Sequence, residues 1–145
     1  MADSVHGQCL CGSVAFELSN KIQHVDACHC KMCQHWAGGA FIGVSATDAD
    51  ITFKADSTLT WYNSSAWARR GFCSKCGSSL FYKLINKTDY WAISSGALTL
   101  PEGIEMEKEI FVDEKPGYYA FAGDHPRLTR EETMAMIKAS VEGQS

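Results

Sequence analysis

Seven cysteines constrain this 145-residue chain more strongly than any other feature, because they are clustered and odd in number. They form three groups, which read Cys9-Leu10-Cys11-Gly12, Cys28-His29-Cys30-Lys31-Met32-Cys33 and Cys73-Ser74-Lys75-Cys76-Gly77. An odd count does not close a disulfide framework, and the opening residues MADSVHGQ lack the basic and apolar segments of a secretory signal. We therefore expect reduced cysteines, a cytoplasmic protein and metal binding.

The first and third groups are expected to share one closed metal site. Both end in Cys-Gly, and glycine reaches the positive φ of the tight turn that a closely spaced chelating pair requires. Such a turn is needed because tetrahedral zinc holds its sulfurs roughly 3.8 Å apart, whereas alternate residues of a strand are about 6.6 Å apart. Four thiolates fill the tetrahedron, so the sequence predicts a structural zinc whose binding contributes to folding. Its ligands would be Cys9, Cys11, Cys73 and Cys76.

The middle group supplies three sulfurs, from Cys28, Cys30 and Cys33, within six residues. Three protein ligands and one open position are typical of a catalytic zinc. Two alternatives remain open, namely three reduced thiols buried in the core, or a fourth ligand supplied by a histidine. His29 is cramped between two ligands, and the more distant candidates are His6, His24, His35 and His125.

The predicted chemistry of the middle group follows from its charge. A zinc ion together with three thiolates would carry a formal charge of about −1 and would be a weaker Lewis acid than a three-histidine site. It can still bind an incoming thiol as the thiolate, which is the nucleophilic form. We therefore expect the addition of a thiol to a carbonyl carbon, or the reverse reaction.

The rest of the sequence predicts a mainly β protein with a short C-terminal helix. Aromatic and β-branched residues recur in short alternating runs bounded by turn residues. These runs are residues 14–18, 41–44, 51–53, 59–62, 80–84, 90–93, 110–112 and 118–121. Residues 130–141 predict the helix, because Thr129 and Glu132 form a capping box, and a shorter helical turn is expected at 32–36. The apolar stripe of the C-terminal helix is expected to pack against the sheets. It comprises Met134, Ile137 and Val141.

Length, charge and hydropathy limit the remaining possibilities. The length favours a single domain over residues 1–145. The chain has 13 Lys and Arg against 17 Asp and Glu, a net charge of −4, which argues against a nucleic-acid or anionic-membrane partner. No apolar stretch approaches the roughly 18 residues of a membrane span. The acidic run at 102–114 is expected to be a solvated strand face, and the sequence leaves the oligomeric state open.

Three segments resemble the family of glutathione-dependent formaldehyde-activating enzymes and centromere protein V, namely CLCGSVAFEL, CHCKMCQHWAGGAF and RRGFCSKCGSSLF. The resemblance extends over about residues 7–119. It implies a β-tent of small twisted antiparallel sheets, with the structural zinc in the first and third cysteine groups and the catalytic zinc in the middle one. It also implies a carbon–sulfur lyase of the S-(hydroxymethyl)glutathione synthase type, whose partners are a small-molecule thiol, glutathione, and an aldehyde, formaldehyde.

Arg69 and Arg70 are candidate contacts for a carboxylate of the thiol substrate, since guanidinium groups bind carboxylates well. The alternative for this pair is a solvated strand edge that balances nearby acids. For the chain as a whole, the alternative to an enzyme is a non-catalytic, zinc-stabilised binding module of the β-tent fold.

Overall fold

The computed structural model describes residues 4–19 and 21–142, without the side chains of residues 141 and 142. The described chain is mainly β, as predicted. Its strands are β1 (Val5–Gln8), β2 (Ala15–Leu18), β3 (His24–Cys28), β4 (Phe41–Ala46), β5 (Ile51–Ala55), β6 (Leu59–Asn63), β7 (Ala68–Cys73), β8 (Ser79–Leu84), β9 (Trp91–Ser94) and β10 (Glu105–Ile110). Its α-helices are α1 (Lys31–Ala37) and α2 (Arg130–Glu142).

The first of two compact units comprises Met1–Gln23 and Gly43–Ile104. Within it, β1, β2 and β5 form one antiparallel sheet, and β4, β9, β8, β7 and β6 lie side by side in that order. Their alternating side chains produce an aromatic core, in which the rings of Phe16 and Phe81 are fully buried and 5.0 Å apart. Burial of each such ring stabilises the unit by about 1.5–3 kcal/mol.

The second unit comprises His24–Ile42 and Glu105–Ser145. Here β3 and β10 pair in parallel, with Cys28 opposite Ile110. A parallel pair needs a long connection between its strands, and the first unit's second segment, Gly43–Ile104, lies within that connection. The helices α1 and α2 belong to this unit, and Thr129 and Glu132 form the predicted capping box at the start of α2.

Three local predictions in the second unit are wrong. Of residues 110–112, only Ile110 belongs to a strand, because the left-handed backbone of Phe111 is followed by a short 3-10 helix. Residues 118–121 form no strand, because Tyr119 packs its ring 5.9 Å from that of His29 and Tyr118 is 83% exposed. The apolar stripe of α2 does not pack as expected, since Met134 and Ile137 are 48% and 42% exposed, whereas Thr133 is buried. The third stripe residue is Val141, whose side chain lies outside the described residues.

The acidic run is also only partly solvated. It includes β10, and Glu109 near the end of that strand is 1% exposed. The strand ends at Ile110 because the next residue, Phe111, has a left-handed backbone with φ of 56°. Among the described residues, no helix has the length and apolar character that a membrane crossing requires.

Candidate metal centres

The four-cysteine group, Cys9, Cys11, Cys73 and Cys76, is assembled within the first unit from two turns. One turn follows β1 and the other follows β7. The Sγ atoms of Cys9 and Cys11 are 3.7 Å apart, those of Cys11 and Cys73 are 3.8 Å apart, and all four lie within 4.8 Å of one another. Because tetrahedral zinc with four thiolates requires sulfurs roughly 3.8 Å apart, this donor set fits the ion.

Both turns depend on glycine. Gly12 has φ of +82° and donates its N–H to the carbonyl oxygen of Cys9 at 3.1 Å. Gly77 has φ of +80° and donates to the carbonyl oxygen of Cys73 at 2.7 Å. Side chains other than glycine are strained at such φ values. Each Cys-Gly ending therefore turns the chain tightly enough to bring the two cysteines of its pair together, as the sequence predicts.

The surroundings of the four-cysteine group favour ionised sulfur at two of its members. A hydrogen bond with the Ser78 hydroxyl, with further help from backbone N–H groups, lowers the pKa of Cys76 to about 5. The Thr58 hydroxyl likewise lowers the pKa of Cys73. Burial raises the pKa of Cys9, although the Val14 N–H donates to its sulfur at 3.3 Å. Thiolates gathered in this way need a cation to balance their charge.

The three-cysteine group, Cys28, Cys30 and Cys33, lies in the second unit where β3 leads into α1. Its three sulfurs lie within 4.8 Å of one another. Cys30 is the N-cap of α1, and its sulfur accepts the Cys33 N–H at 3.3 Å. The neighbouring thiols of Cys30 and Cys33 hold the pKa of Cys28 far above its ordinary value, so all three do not ionise together without a cation.

No histidine belongs to the three-cysteine group within the part of the chain that the structure describes. His29, the nearest candidate in sequence, is fully buried, and both of its ring nitrogens have other partners. Its Nε2 donates to Glu109 Oε1 at 2.7 Å, and its Nδ1 is 3.0 Å from the Tyr119 hydroxyl. The group therefore offers three sulfur donors, which fit a zinc ion that keeps one coordination position open.

A third set of donors, His24, Asp26 and Glu107, lies on β3 and β10 of the second unit. Lys108 forms salt bridges with both carboxylates, because its Nζ is 3.0 Å from Asp26 Oδ2 and 3.2 Å from Glu107 Oε1. This set is therefore a salt-bridged cluster on the strand pair.

Comparison with known proteins identifies the family of this chain. The model of the glutathione-dependent formaldehyde-activating enzyme family matches residues 4–114, a range that includes all seven cysteines. The chain belongs to this family. An uncharacterised lyase of Schizosaccharomyces pombe is 28% identical over 131 residues, which cover 90% of this chain and 95% of the relative.

Two further proteins resemble this member of the formaldehyde-activating enzyme family. A Phaeosphaeria nodorum protein, provisionally named as a glutathione-dependent formaldehyde-activating enzyme, is 32% identical over 80 residues, which cover 54% of this chain and 42% of the relative. A crystal structure of a Rhodobacter sphaeroides protein superposes with a TM-score of 0.57 at 21% identity, covering 84% of this chain and 98% of that one. The second likeness shows that the fold is shared.

Arg69 and Arg70 of this family member project to opposite faces of their sheet in the first unit. Both lie on β7, where consecutive side chains point to opposite faces of the sheet. A single carboxylate on one face therefore does not bind both arginines. Arg69 stacks 4.2 Å above the Trp61 ring, and its buried Nε has no hydrogen-bond partner within the described residues. Arg70 is only 3% exposed and lies 5.0 Å over the Tyr82 ring.

Sequence reasoning missed the side chains that bind His29, the residue between Cys28 and Cys30. The two partners of the His29 ring are Glu109 and Tyr119, which lie 80 and 90 residues away in sequence. Glu109 is one acid among several in its strand, and nothing in its spacing marks it as buried. Only the parallel pairing of β3 with β10 brings it to the cysteine loop.

Proposed function

We propose that the chain is a zinc-dependent carbon–sulfur lyase that adds the thiol of glutathione reversibly to formaldehyde. The reaction would take place at Cys28, Cys30 and Cys33, while Cys9, Cys11, Cys73 and Cys76 would hold a structural zinc. The observation that carries this proposal is the difference in donor number between the two groups, four sulfurs in one and three in the other. A site with three protein ligands retains a position for substrate, which a closed site lacks.

The reaction consists of one bond-forming step and its reverse. The thiol loses its proton, its sulfur electron pair forms the new bond to the carbonyl carbon, and the carbonyl oxygen gains a proton to become a hydroxyl. Nothing is oxidised or reduced, so no further reactant is needed. Zinc held by the three thiolates would favour the ionised form of the incoming thiol by binding its sulfur directly, although the site as a whole would carry a formal charge of about −1.

The residues of the chain itself would prepare this site. The turn from β3 into α1 brings the sulfurs of Cys28, Cys30 and Cys33 together within one short segment, and such a compact donor set would limit the entropy lost on metal binding. The described cysteines form no disulfide, as metal ligands require, and we propose that the protein works in the cytoplasm.

Arg69 and Arg70 are our proposed contacts for the carboxylates of glutathione. We favour Arg69, because its stacking on Trp61 fixes the guanidinium group while its Nε lacks a hydrogen-bond partner within the described residues. A carboxylate would supply that partner. Arg70, by contrast, already donates from its Nε to the Ser64 hydroxyl at 3.3 Å.

The proposal is tested by NMR exchange spectroscopy on glutathione mixed with formaldehyde. Zinc-loaded protein should accelerate the exchange between free formaldehyde and S-(hydroxymethyl)glutathione above its rate in buffer. Cys30→Ser should abolish the acceleration, whereas Met32→Ser, which introduces the same side chain at a half-exposed position two residues away, should retain it. If the wild-type protein gives no acceleration, the enzyme proposal fails and the zinc-stabilised binding module becomes the better account.

A further inference from the structure

We infer that Glu109 is a positioning residue for the three-cysteine group and that it acts through His29, the residue between Cys28 and Cys30. This inference rests on the metal site of the proposed function, although it does not depend on which thiol or aldehyde reacts. Glu109 and His29 are 1% and 0% exposed, and neither belongs to the three-cysteine group. Their position beside that group, without membership in it, is what a supporting role requires.

The His29 ring is fixed at both of its nitrogen atoms. Nε2 donates to Glu109 Oε1 at 2.7 Å, and Nδ1 lies 3.0 Å from the Tyr119 hydroxyl. The ring also packs 5.7 Å from the ring of Phe121. Because the backbone of His29 joins Cys28 directly to Cys30, an immobile ring fixes the segment that carries both sulfurs.

Glu109 is itself held by further side chains. Its second oxygen, Oε2, accepts from His125 Nε2 at 2.5 Å and lies 3.1 Å from Arg127 Nε. Burial alone would raise the pKa of Glu109, but the hydrogen bonds with His125 and His29 lower it below its ordinary value. The carboxylate is therefore buried, ionised and fully bonded, and such a group has little freedom to reorient.

The main chain of the cysteine loop is tied to the same region. The His29 N–H donates to the Ile110 carbonyl oxygen at 3.1 Å. Gln34 donates from Nε2 to the carbonyl oxygens of His29 at 2.6 Å and Glu114 at 2.8 Å. The Lys31 N–H donates to Glu114 Oε1 at 3.0 Å. The backbone bonds survive if Glu109 is changed, so its loss should loosen the loop without releasing it.

The loosening should appear as weaker metal binding at one group only. Glu109→Gln keeps the shape of the side chain but removes the charge that holds His29, so the three sulfurs lose part of their fixed arrangement. Changes in residues that support metal ligands typically cost about 10- to 100-fold in affinity. The four-cysteine group belongs to the first unit and serves as an internal reference in the same molecule.

The experiment measures the zinc affinity of each group in zinc-loaded protein by competition with chelators of graded strength. Glu109→Gln should weaken zinc binding at the three-cysteine group by about 10- to 100-fold and leave the four-cysteine group unchanged. The matched control is Glu107→Gln, which removes an exposed Glu–His pair, Glu107 with His24, from the same strand. This control should leave both affinities at the wild-type value.

A second variant keeps the inference testable if Glu109→Gln does not fold. Tyr119→Phe removes only the hydroxyl at Nδ1 of His29, and it should weaken the same group selectively by a smaller factor. Wild-type zinc affinity in both variants would overturn the inference. It would also be overturned if both groups lost zinc affinity equally and the near-ultraviolet circular dichroism signal were lost as well. Wild-type protein that binds two zinc ions but does not accelerate formaldehyde exchange would refute the proposed reaction and leave this inference intact.

Discussion

The sulfurs of Cys11 and Cys73 lie 3.8 Å apart, although 62 residues separate them in the chain. Contact over such a separation closes a long loop and costs entropy, which metal binding would offset. The four-cysteine group is therefore expected to stabilise the fold, whereas the three-cysteine group spans only six residues, Cys28 to Cys33, and closes a short loop.

The two groups should respond differently to loss of a single sulfur. Cys76→Ser should lower the melting temperature by roughly 10 °C or more and reduce solubility, because a structural metal contributes several kcal/mol to folding. Cys30→Ser should remove activity, and it should lower the melting temperature by less than half as much as Cys76→Ser does. Thermal unfolding followed by circular dichroism, with zinc content measured on the same samples, checks both. Equal destabilisation by the two variants would contradict the assignment of structural and catalytic sites.

Acidification should release zinc in two steps. Protons compete with zinc for sulfur, and a thiol with a higher pKa regains its proton at a higher pH. The pKa of Cys28 is raised by Cys30 and Cys33. In the four-cysteine group, burial raises the pKa of Cys9, but hydrogen bonds lower the pKa of Cys73 and lower that of Cys76 to about 5. The three-cysteine group should therefore lose its zinc first as the pH falls, and the four-cysteine group should follow at lower pH.

Zinc retained after dialysis across a pH series measures this order. Cys30→Ser provides the control, since it should lack the first step and keep the second. Release of both ions in one step, or earlier release from the four-cysteine group, would show that the surroundings of Cys28 and Cys76 do not govern metal retention.

The metal donors could be predicted from the sequence because their signal is local. Each Cys-Gly turn and the Cys28–Cys33 segment are short, and the required geometry follows from spacing and from glycine alone. Most strands were predictable for the same reason, whereas β1, β3 and β7 were missed. The first two of these contain several polar residues, and β7 contains two adjacent arginines, Arg69 and Arg70, so their alternation is weak.

The support around the three-cysteine group could not be predicted. Glu109 reaches His29 through the parallel pairing of β3 and β10, and no local pattern encodes that pairing. The exposed stripe on α2 illustrates the opposite error. Helical spacing of Met134 and Ile137 shows that they share a face, but it does not show what covers that face.

Gly7 should be intolerant of any side chain. A Cβ at this position would overlap with Cζ of Phe16, whose ring is fully buried. Gly7→Ala should therefore destabilise the protein by about 1–3 kcal/mol, because the core must shift to accept the methyl group. Gly39→Ala is the matched control, since a Cβ there meets nothing within 4 Å. Denaturant unfolding of both variants measures the difference, and equal stability would show that the core around Phe16 yields easily.

Arg69 and Arg70 should differ in effect because they face opposite sides of β7. Arg69→Ala should raise KM for glutathione about tenfold or more, as expected for loss of a charge-assisted hydrogen bond, and should lower stability less than Arg70→Ala because it removes only the stacking on Trp61. Arg70→Ala should chiefly lower the free energy of unfolding, because it removes a buried side chain from the face of Tyr82. Initial-rate kinetics and denaturant unfolding separate the two effects, and the reverse pattern would reassign the substrate contact to Arg70.

The number of zinc ions per chain tests the central claim most directly. Elemental analysis of purified protein should give two zinc ions in the wild type and one in Cys30→Ser, which should keep the ion of the four-cysteine group. Added glutathione should protect the second zinc of the wild-type protein from chelators, because it would occupy the open position. A single zinc in the wild type, with Cys28, Cys30 and Cys33 all freely alkylated, would contradict the account.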